Sequence, residues 1–197
     1  MENVKQSITF VRFHISFRIA IATAIVTTID AGTRILNLSV ALMNPTSQGQ
    51  SELEEALNYA LQRGVIVVAA AGNQGTLGSS AITRHPWVIP VIACDLQSRP
   101  IHQSNLGSSI GRRGLSAPGD GITSISPTGK PYISGGTSVA TPFVTGAIAL
   151  LWSEFPMAKA AEVKFAITQA SLSKRTTVIP PLLNAWAAYQ AIANVLT

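Results

Sequence analysis

Residues 135–151 read GGTSVATPFVTGAIALL, and the interpretation of the whole chain depends on this stretch. Two glycines and a Thr-Ser pair precede an apolar segment that predicts a buried helix. A serine in the first turn of a helix lies beside unpaired backbone N–H groups, which together with the helix dipole stabilise an oxyanion. Ser138 is therefore a candidate hydroxyl nucleophile. The alternative is that Thr137 or Ser138 is only the N-cap of the helix, and the spacing alone favours this alternative.

Strand and helix patterns alternate on either side of this stretch. The strand RILNLSV (34–40) is followed by a helix that we expect to begin at Ser51, with Glu54 completing a capping box. Buried strands are predicted at 65–71 and 87–95, short strands near 114–117 and 122–126, and helices at 19–31, 138–153, 159–171 and 184–196. The pattern predicts an α/β fold with a doubly wound, mostly parallel sheet and helices on both faces.

Polar residues follow two of the predicted strands. Ser39 ends the first, and Asn73 follows the second in the sequence AAAGNQG. In open parallel sheets ligands bind beyond the carboxyl ends of the strands, which is where these residues fall. An Asn between glycines is most often a turn residue. At this edge its side-chain amide is also a candidate donor to an oxyanion, so both interpretations of Asn73 stay open.

The composition excludes several classes of protein. With 197 residues, 47% of them hydrophobic and 12% charged, the chain predicts one globular domain rather than a disordered segment. A net charge of +5 with scattered basic residues, apart from Arg112-Arg113, does not indicate nucleic-acid binding. The one cysteine, Cys94, excludes an intrachain disulfide, and its apolar neighbours predict a buried structural thiol.

The N-terminal region imitates a signal peptide. Three basic residues precede the apolar run IAIATAIVTTI (19–29), but no clean small-residue cleavage site follows it. The run is shorter than the roughly 18–20 apolar residues of a membrane-spanning helix. The sequence therefore favours a helix of the folded domain, no membrane association, and a cytoplasmic location slightly over secretion.

Three stretches in this order, RILNLSV, VIVVAAAGNQG (65–75) and GGTSVATPFVTGAIALL, closely resemble the subtilisin-like serine proteases, or subtilases. LSAPGDGITS (115–124) is similar to the Ala-Pro-Gly segment that precedes the serine in that family. The compact domain also resembles the cyanobactin-maturation proteases. The resemblance implies a subtilisin-like fold and peptide-bond hydrolysis through an acyl-enzyme, with a peptide or protein as substrate.

Roles follow from this resemblance position by position. It implies that Ser138 is the nucleophile, that Asn73 donates to the oxyanion, and that the backbone N–H of Ser138 is the second donor. It also implies substrate-binding residues in two segments, which are Ser39, Val40 and Ala41, and Ala70, Ala71 and Gly72. Calcium is common in the family, but no ligand set can be matched here, so no cofactor is assigned.

The triad Asp and His have no match in the sequence. Subtilases carry them in the order Asp, His, Ser, which places both upstream of about residue 20 here. Asp30 lies too close to the first strand, and His14 lacks the His-Gly-Thr-His context. The remaining candidates fall outside the expected order: His85, His102, Asp95 and Asp120.

We therefore expect residues 19–197 to be the C-terminal two-thirds of a subtilase domain, with residues 1–18 a non-matching segment. Such a piece exposes a sheet edge, which a partner or the missing N-terminal part would cover. Without its triad partners the chain is expected to be inactive or impaired. The alternative is a non-catalytic pseudoprotease or peptide-binding module. A nucleotide-binding domain is disfavoured because neither G-x-x-x-x-G-K-[ST] nor G-x-G-x-x-G occurs.

Overall fold

Four parallel strands form the central sheet in the computed structural model, which describes residues 17–42, 49–170 and 178–196. The strands are β1 (Ile35–Leu38), β2 (Ile66–Ala70), β3 (Ile89–Cys94) and β4 (Leu115–Pro118), in the order β1-β2-β3-β4. Every residue of β2 and β3 is buried. Continuous apolar strands of this kind need cover on both faces of the sheet.

Helices cover both faces, which confirms the predicted doubly wound α/β fold. One face carries α5 (Thr137–Glu154), α6 (Ala160–Gln169) and α7 (Ala185–Leu196), and the other carries α1 (Phe17–Asp30) and α2 (Gln50–Gln62). Successive side chains of a strand point to opposite faces. Thus Ile66 and Val68 join the core under α5, and Val67 joins the core under α2.

Three short elements were not predicted. The helix α3 (Ala81–Arg84) precedes β3, and α4 (Ser108–Arg113) precedes β4. The strands β5 (Ile122–Ile125) and β6 (Pro131–Ser134) pair as an antiparallel hairpin, of which only β5 was expected. These elements are four to six residues long, too short for a periodic apolar pattern to reveal them.

The predicted start of α2 is wrong by two residues. The helix begins after Gly49, which has a left-handed backbone (φ 73°) and whose carbonyl accepts from Leu53 N at 3.3 Å. Ser51 lies inside the first turn and donates to the Glu52 carboxylate instead of forming a capping box with Glu54. The apolar face is confirmed for Leu53, Ala56, Leu57 and Ala60 but not for Leu61, which is 45% exposed.

The two edges of the sheet differ. The outer edge of β4 is paired, because Ser116 N donates to Pro181 O at 2.7 Å and Leu183 N donates to Ser116 O at 2.8 Å. Within the described residues, β1 pairs only with β2. That a partner or further chain covers the free edge of β1 stays a prediction, as does the domain boundary at residue 18. No described helix is both long and apolar enough to cross a membrane.

The core under α2 yields a stability prediction. Leu57 is 1% exposed, whereas Leu61, one turn further along the same helix, is 45% exposed. We expect Leu57→Ala to lower the free energy of unfolding by about 2–5 kcal/mol, through lost burial and a residual cavity. Leu61→Ala is the matched control, with an expected loss below about 1 kcal/mol. Urea titration followed by circular dichroism measures both, and equal losses would contradict the burial argument.

Candidate active site

Ser138 lies in the first turn of α5, at the carboxyl edge of the sheet. The N-cap is Gly136, with φ 108° and no side-chain capping bond, so the interpretation of Thr137 or Ser138 as the cap is wrong. A Cβ on Gly136 would lie 3.0 Å from Asn73 Nδ2, so a side chain there would displace the amide and strain a backbone with positive φ. In the described part of the chain, no acceptor bonds the backbone N–H of Ser138.

Ser138 and Ser39 bond each other reciprocally across 99 positions of sequence. Ser39 Oγ donates to Ser138 O at 3.1 Å, and Ser138 Oγ donates to Ser39 O at 3.3 Å. The carbonyl of Ser138 is available because its ordinary helical donor would be Pro142, which has no N–H. The proline inside α5 therefore frees an acceptor that ties the helix to the segment after β1.

Asn37 extends this connection and was not singled out from the sequence. Its Nδ2 donates to Ser39 Oγ at 2.8 Å, and its Oδ1 accepts from Thr145 Oγ1, also at 2.8 Å. The side chain of Asn37 thus spans from the end of β1 to the third turn of α5. It orients Ser39, and through Ser39 the first turn of the helix.

The side chain of Asn73 is oriented by Thr137. Asn73 Oδ1 accepts from Thr137 N at 2.9 Å and from Thr137 Oγ1 at 3.0 Å. Because two donors already bond this oxygen, Nδ2 is the atom of the amide that remains available to donate to another group. Asn73 is exposed, and no acceptor among the described residues bonds its Nδ2. Asn73 Nδ2 and the N–H of Ser138 are therefore two unused donors at one helix terminus.

The predicted substrate-binding segments lie next to each other. The Cβ of Ala41 is 3.3 Å from the position that a Cβ on Gly72 would take, so the segments 39–41 and 70–72 meet beside Ser138. Gly72 N donates to Thr137 Oγ1 at 3.1 Å, which connects this segment to α5. The structure brings the predicted residues together, and their roles in substrate binding stay a prediction.

Asn105 holds the loop that carries Asn73, and the sequence contained no motif that identified it. Its Oδ1 accepts from Gln74 N at 3.0 Å and from Thr76 N at 3.1 Å, while its Nδ2 donates to Ala71 O at 3.2 Å. One side chain therefore satisfies three backbone groups of the turn after β2. This support fixes where the backbone of Asn73 lies.

None of the described histidines or aspartates considered as triad partners bonds Ser138. Asp30 ends α1 and accepts from Tyr59 Oη at 2.7 Å. Asp95 forms a salt bridge with Arg99 at 2.8 Å. His102 and Asp120 are exposed without a bond to Ser138, and His14 lies outside the described residues.

His85 is buried on the opposite side of the sheet from Ser138. Its Nε2 is 3.2 Å from Asn58 Oδ1, and its Nδ1 accepts from Trp87 N at 3.3 Å. A neutral ring with the proton on Nε2 satisfies both contacts. Burial lowers the pKa of His85, Glu54 opposes this shift, and the cations Arg113 and Lys164 reinforce it. His85 is thus a structural histidine with a preference for the neutral form.

Cys94 and the acidic residues that the structure describes form no second centre. Cys94 is 1% exposed at the end of β3, and burial raises the pKa of its thiol. Among the described residues, no group of three His, Cys, Asp or Glu side chains is arranged to hold a metal ion.

The comparisons with known proteins agree with one another. Residues 14–185 match the family model described as the subtilase family. Thermostable alkaline protease of Halalkalibacterium halodurans is 34% identical over 153 residues, and thermitase of Thermoactinomyces vulgaris is 35% identical over 135 residues. The solved structure of the patellamide maturation protease PatA superposes with a TM-score of 0.82 at 30% identity. It confirms the resemblance to the cyanobactin-maturation proteases.

These matches cover most of this chain but less of the relatives. The alignments include 77% and 68% of this chain, yet only 40% of the alkaline protease and 46% of thermitase. The superposition covers 90% of this chain and 69% of PatA. The chain thus spans less than half the length of the two curated relatives.

Thr137 yields a first prediction for this site. Thr137→Val removes the hydroxyl that accepts from Gly72 N and donates to Asn73, so a buried N–H loses its partner. We expect the free energy of unfolding to fall by about 1–3 kcal/mol. Thr141→Val is the matched control, since Thr141 is equally buried but its hydroxyl bonds only the helix carbonyl of Thr137 among the described residues. Faster amide hydrogen exchange at Gly72 in the first variant alone is the second readout, and equal behaviour of the two would refute the role of Thr137.

His85 yields a prediction on pH. Because the unfolded histidine takes up a proton near pH 6.5 and the folded one only at lower pH, the unfolded state binds more protons between these two values. The contribution of His85 to stability is therefore complete above about pH 6.5 and is lost as the pH falls through the folded pKa. Urea titrations at pH 7.5 and 5.0 are expected to show a smaller pH difference for His85→Gln than for wild type. An unchanged difference would show that other groups cause the pH dependence.

Proposed function

The chain belongs to the subtilase family, and from this premise we propose that its site performs peptide-bond hydrolysis with Ser138 as the nucleophile. The observation that supports this proposal is the pair of unused donors, Asn73 Nδ2 and the N–H of Ser138, beside the Ser138 hydroxyl. A helix cap or a structural serine does not require such a pair, whereas an oxyanion does.

The proposed reaction proceeds through an acyl-enzyme. Ser138 Oγ attacks the scissile carbonyl carbon while its proton passes to a general base, and the carbonyl oxygen becomes an oxyanion held by the two donors. Collapse of this intermediate breaks the C–N bond, and the base returns the proton to the leaving amine. A water molecule, deprotonated by the same base, then attacks the ester carbonyl. The bond between this carbon and Ser138 Oγ breaks, the carboxylic acid product leaves, and the base returns the proton to Ser138 Oγ.

The base is the component that the described residues do not supply. The hydroxyl proton of Ser138 points to the carbonyl of Ser39, which accepts a hydrogen bond but is far too weakly basic to take the proton. Members of a serine triad act as a unit, and loss of the base leaves only the contribution of the oxyanion hole and of binding. We therefore propose that this chain alone hydrolyses peptides weakly, and that an imidazole from outside the described residues completes the site.

The substrate is proposed to be a polypeptide bound in an extended conformation between the two predicted segments. Segments 39–41 and 70–72 meet next to Ser138, where the Cβ of Ala41 is 3.3 Å from the position of a Cβ on Gly72, so an extended peptide that reaches Ser138 would pair its backbone along them. Backbone pairing of this kind recognises peptides with little dependence on their side chains.

The alternative proposal is a peptide-binding module without catalysis. Its support is that Ser138 Oγ already has a hydrogen-bond acceptor in Ser39 and contacts no histidine among the described residues. Peptide binding by the two segments needs neither a nucleophile nor a base, so this function would survive their absence.

Chemical rescue distinguishes the two proposals. The chain is incubated with a fluorophosphonate probe over a range of imidazole concentrations, and labelling is located by mass spectrometry. For the hydrolase we expect slow labelling of Ser138 that accelerates with free imidazole, because imidazole replaces the missing base. Asn73→Ala should slow labelling by about 10²–10³-fold, the known effect of losing one such donor in subtilisin.

Two variants serve as controls for this experiment. Ser138→Ala should abolish labelling at every imidazole concentration. Ser153→Ala, which removes an exposed serine of the same helix bonded to Leu150 O, should leave it unchanged. If folded wild type is not labelled at any imidazole concentration, the hydrolase proposal fails and the peptide-binding module is favoured.

A further inference from the structure

Thr145, in the third turn of α5, is bonded to the site although it lies two turns along the helix from Ser138. Its hydroxyl donates to Asn37 Oδ1 at 2.8 Å, whereas its alternative acceptor in the same helix, Thr141 O, is 3.2 Å away. Asn37 Nδ2 donates in turn to Ser39 Oγ at 2.8 Å, and Ser39 Oγ donates to Ser138 O at 3.1 Å. Three side chains therefore form a directed chain of hydrogen bonds that ends on the backbone carbonyl of Ser138.

The direction of this chain follows from the donors and acceptors that each group has. Ser138 O lacks its helical donor because Pro142 has no N–H, so the carbonyl depends on the hydroxyl of Ser39. Ser39 has one proton to donate, and this proton is available for Ser138 only if Asn37 presents its NH₂ group to Ser39. The orientation of one side-chain amide thus decides whether this carbonyl has a donor.

Thr145 selects this orientation of the Asn37 amide. With Oδ1 towards Thr145, the threonine hydroxyl donates to the amide oxygen while the NH₂ group donates to Ser39. In the opposite orientation the amide oxygen would accept the proton of Ser39, and Ser138 O would lose its donor. Thr141 O does not need the Thr145 hydroxyl, because the regular helix supplies a backbone donor to that carbonyl.

The bonded carbonyl limits how the first turn of α5 can move at Ser138. This carbonyl carbon is bonded directly to the Cα that carries the hydroxyl group, so fixing it restricts rotation of the backbone there. On the other side of Ser138, Thr137 N is bonded to Asn73 Oδ1 at 2.9 Å. The hydroxyl and the unused N–H of Ser138 lie between these two fixed points. A reacting group that is held in this way loses less freedom when it reacts.

We propose that Asn37 and Thr145 are positioning residues for Ser138 and act on it through Ser39. The inference rests on the proposed function, because it assigns both residues a part in the reactivity of that serine. Hydrogen bonds in such a chain strengthen one another, so the loss of one link weakens the rest. Asn37 is exposed and Thr145 half-buried, so changing either should slow the reaction of Ser138 while the fold stays intact.

Two backbone carbonyl resonances report on these bonds directly. Only two serines of the sequence precede a valine, in the pairs Ser39-Val40 and Ser138-Val139. Protein labelled with ¹³C-carbonyl serine and ¹⁵N valine therefore gives two peaks in an HNCO spectrum, one for each carbonyl of the reciprocal bonds. Ser138→Ala removes one peak and so assigns both. Because the loss of a hydrogen bond moves a carbonyl resonance upfield, the Ser138 peak measures whether Ser39 still donates to it.

Two variants disturb the direction of the chain. Thr145→Val removes the hydroxyl that holds the amide, and Asn37→Asp replaces the NH₂ group by an oxygen of similar size, to which Ser39 would donate instead. In both variants we expect the Ser138 peak to move upfield. We also expect labelling of Ser138 by the fluorophosphonate probe with imidazole to slow by about 2–10-fold, the effect of one hydrogen bond. Thr145→Ser keeps the hydroxyl and should behave as wild type.

Matched controls separate this effect from the chemical change itself. Thr23→Val removes a threonine hydroxyl that bonds a carbonyl of its own helix, α1, at 3.0 Å. Asn184→Asp introduces the same negative charge but keeps the oxygen that accepts from Ala187 N at 2.9 Å. Both controls should leave the Ser138 peak and the labelling rate unchanged. Thermal unfolding measures whether each variant is folded.

Three outcomes would overturn the inference. An unchanged Ser138 peak in both Thr145→Val and Asn37→Asp would show that the carbonyl does not depend on these residues. A shifted peak with an unchanged labelling rate would show that holding the carbonyl does not affect reactivity, and an equal effect in Asn184→Asp would attribute the result to charge. If wild type is not labelled, the hydrolase proposal fails, whereas the peak positions still decide whether the two residues hold Ser138.

Discussion

The hydrogen bonds of Thr137 are the constraint on which the site depends. Through its backbone N–H and hydroxyl, this residue joins the first turn of α5 to Asn73, and its hydroxyl also accepts from the N–H of Gly72. The helix terminus and the loop after β2 are therefore locked together, and each carries one of the two unused donors. The close approach and the positive φ also explain the glycine at 136, because a side chain there would strain the backbone and displace the Asn73 amide.

Two departures from ordinary helix geometry support this junction. Pro142 removes an N–H from α5, and the carbonyl that it would have bonded accepts from Ser39 instead. Asn37 and Thr145 then bond across the same gap, further along the helix. The first turn of α5, which carries Ser138, is thus bonded both to the segment after β1 and to the loop of Asn73. Such positioning precedes any contribution from a base.

How far the sequence predicted the structure depends on the range of each interaction. Long apolar runs such as that of β2 predicted buried parallel strands correctly, since a strand buried on both faces has no polar alternation. The predicted start of α2 was wrong because Gly49, in a left-handed conformation, is the N-cap of the helix. Ser51 therefore lies inside the first turn and cannot be the cap. Leu61 fitted the helical spacing yet is 45% exposed, because spacing alone does not show where the buried face of a helix ends. Two residues near Ser138, Asn37 and Asn105, were not predicted. Asn37 bonds Thr145, 108 positions away, and Asn105 bonds Ala71, 34 positions away, so no local motif marks either residue.

The sequence by itself determined the fold class, the membership in the subtilase family, and which serine and asparagine are candidates for chemistry. These properties reside in local patterns of apolar residues, glycines and a short motif, which do not require knowledge of distant contacts. Only the tertiary structure decided that Thr137 orients Asn73 rather than capping the helix, that Ser39 and Ser138 bond across 99 positions, and that Asn37 links Ser39 to Thr145. The physical reason is that hydrogen bonds depend on which chain segments the packed sheet brings within about 3 Å of one another, and no local pattern encodes that distance.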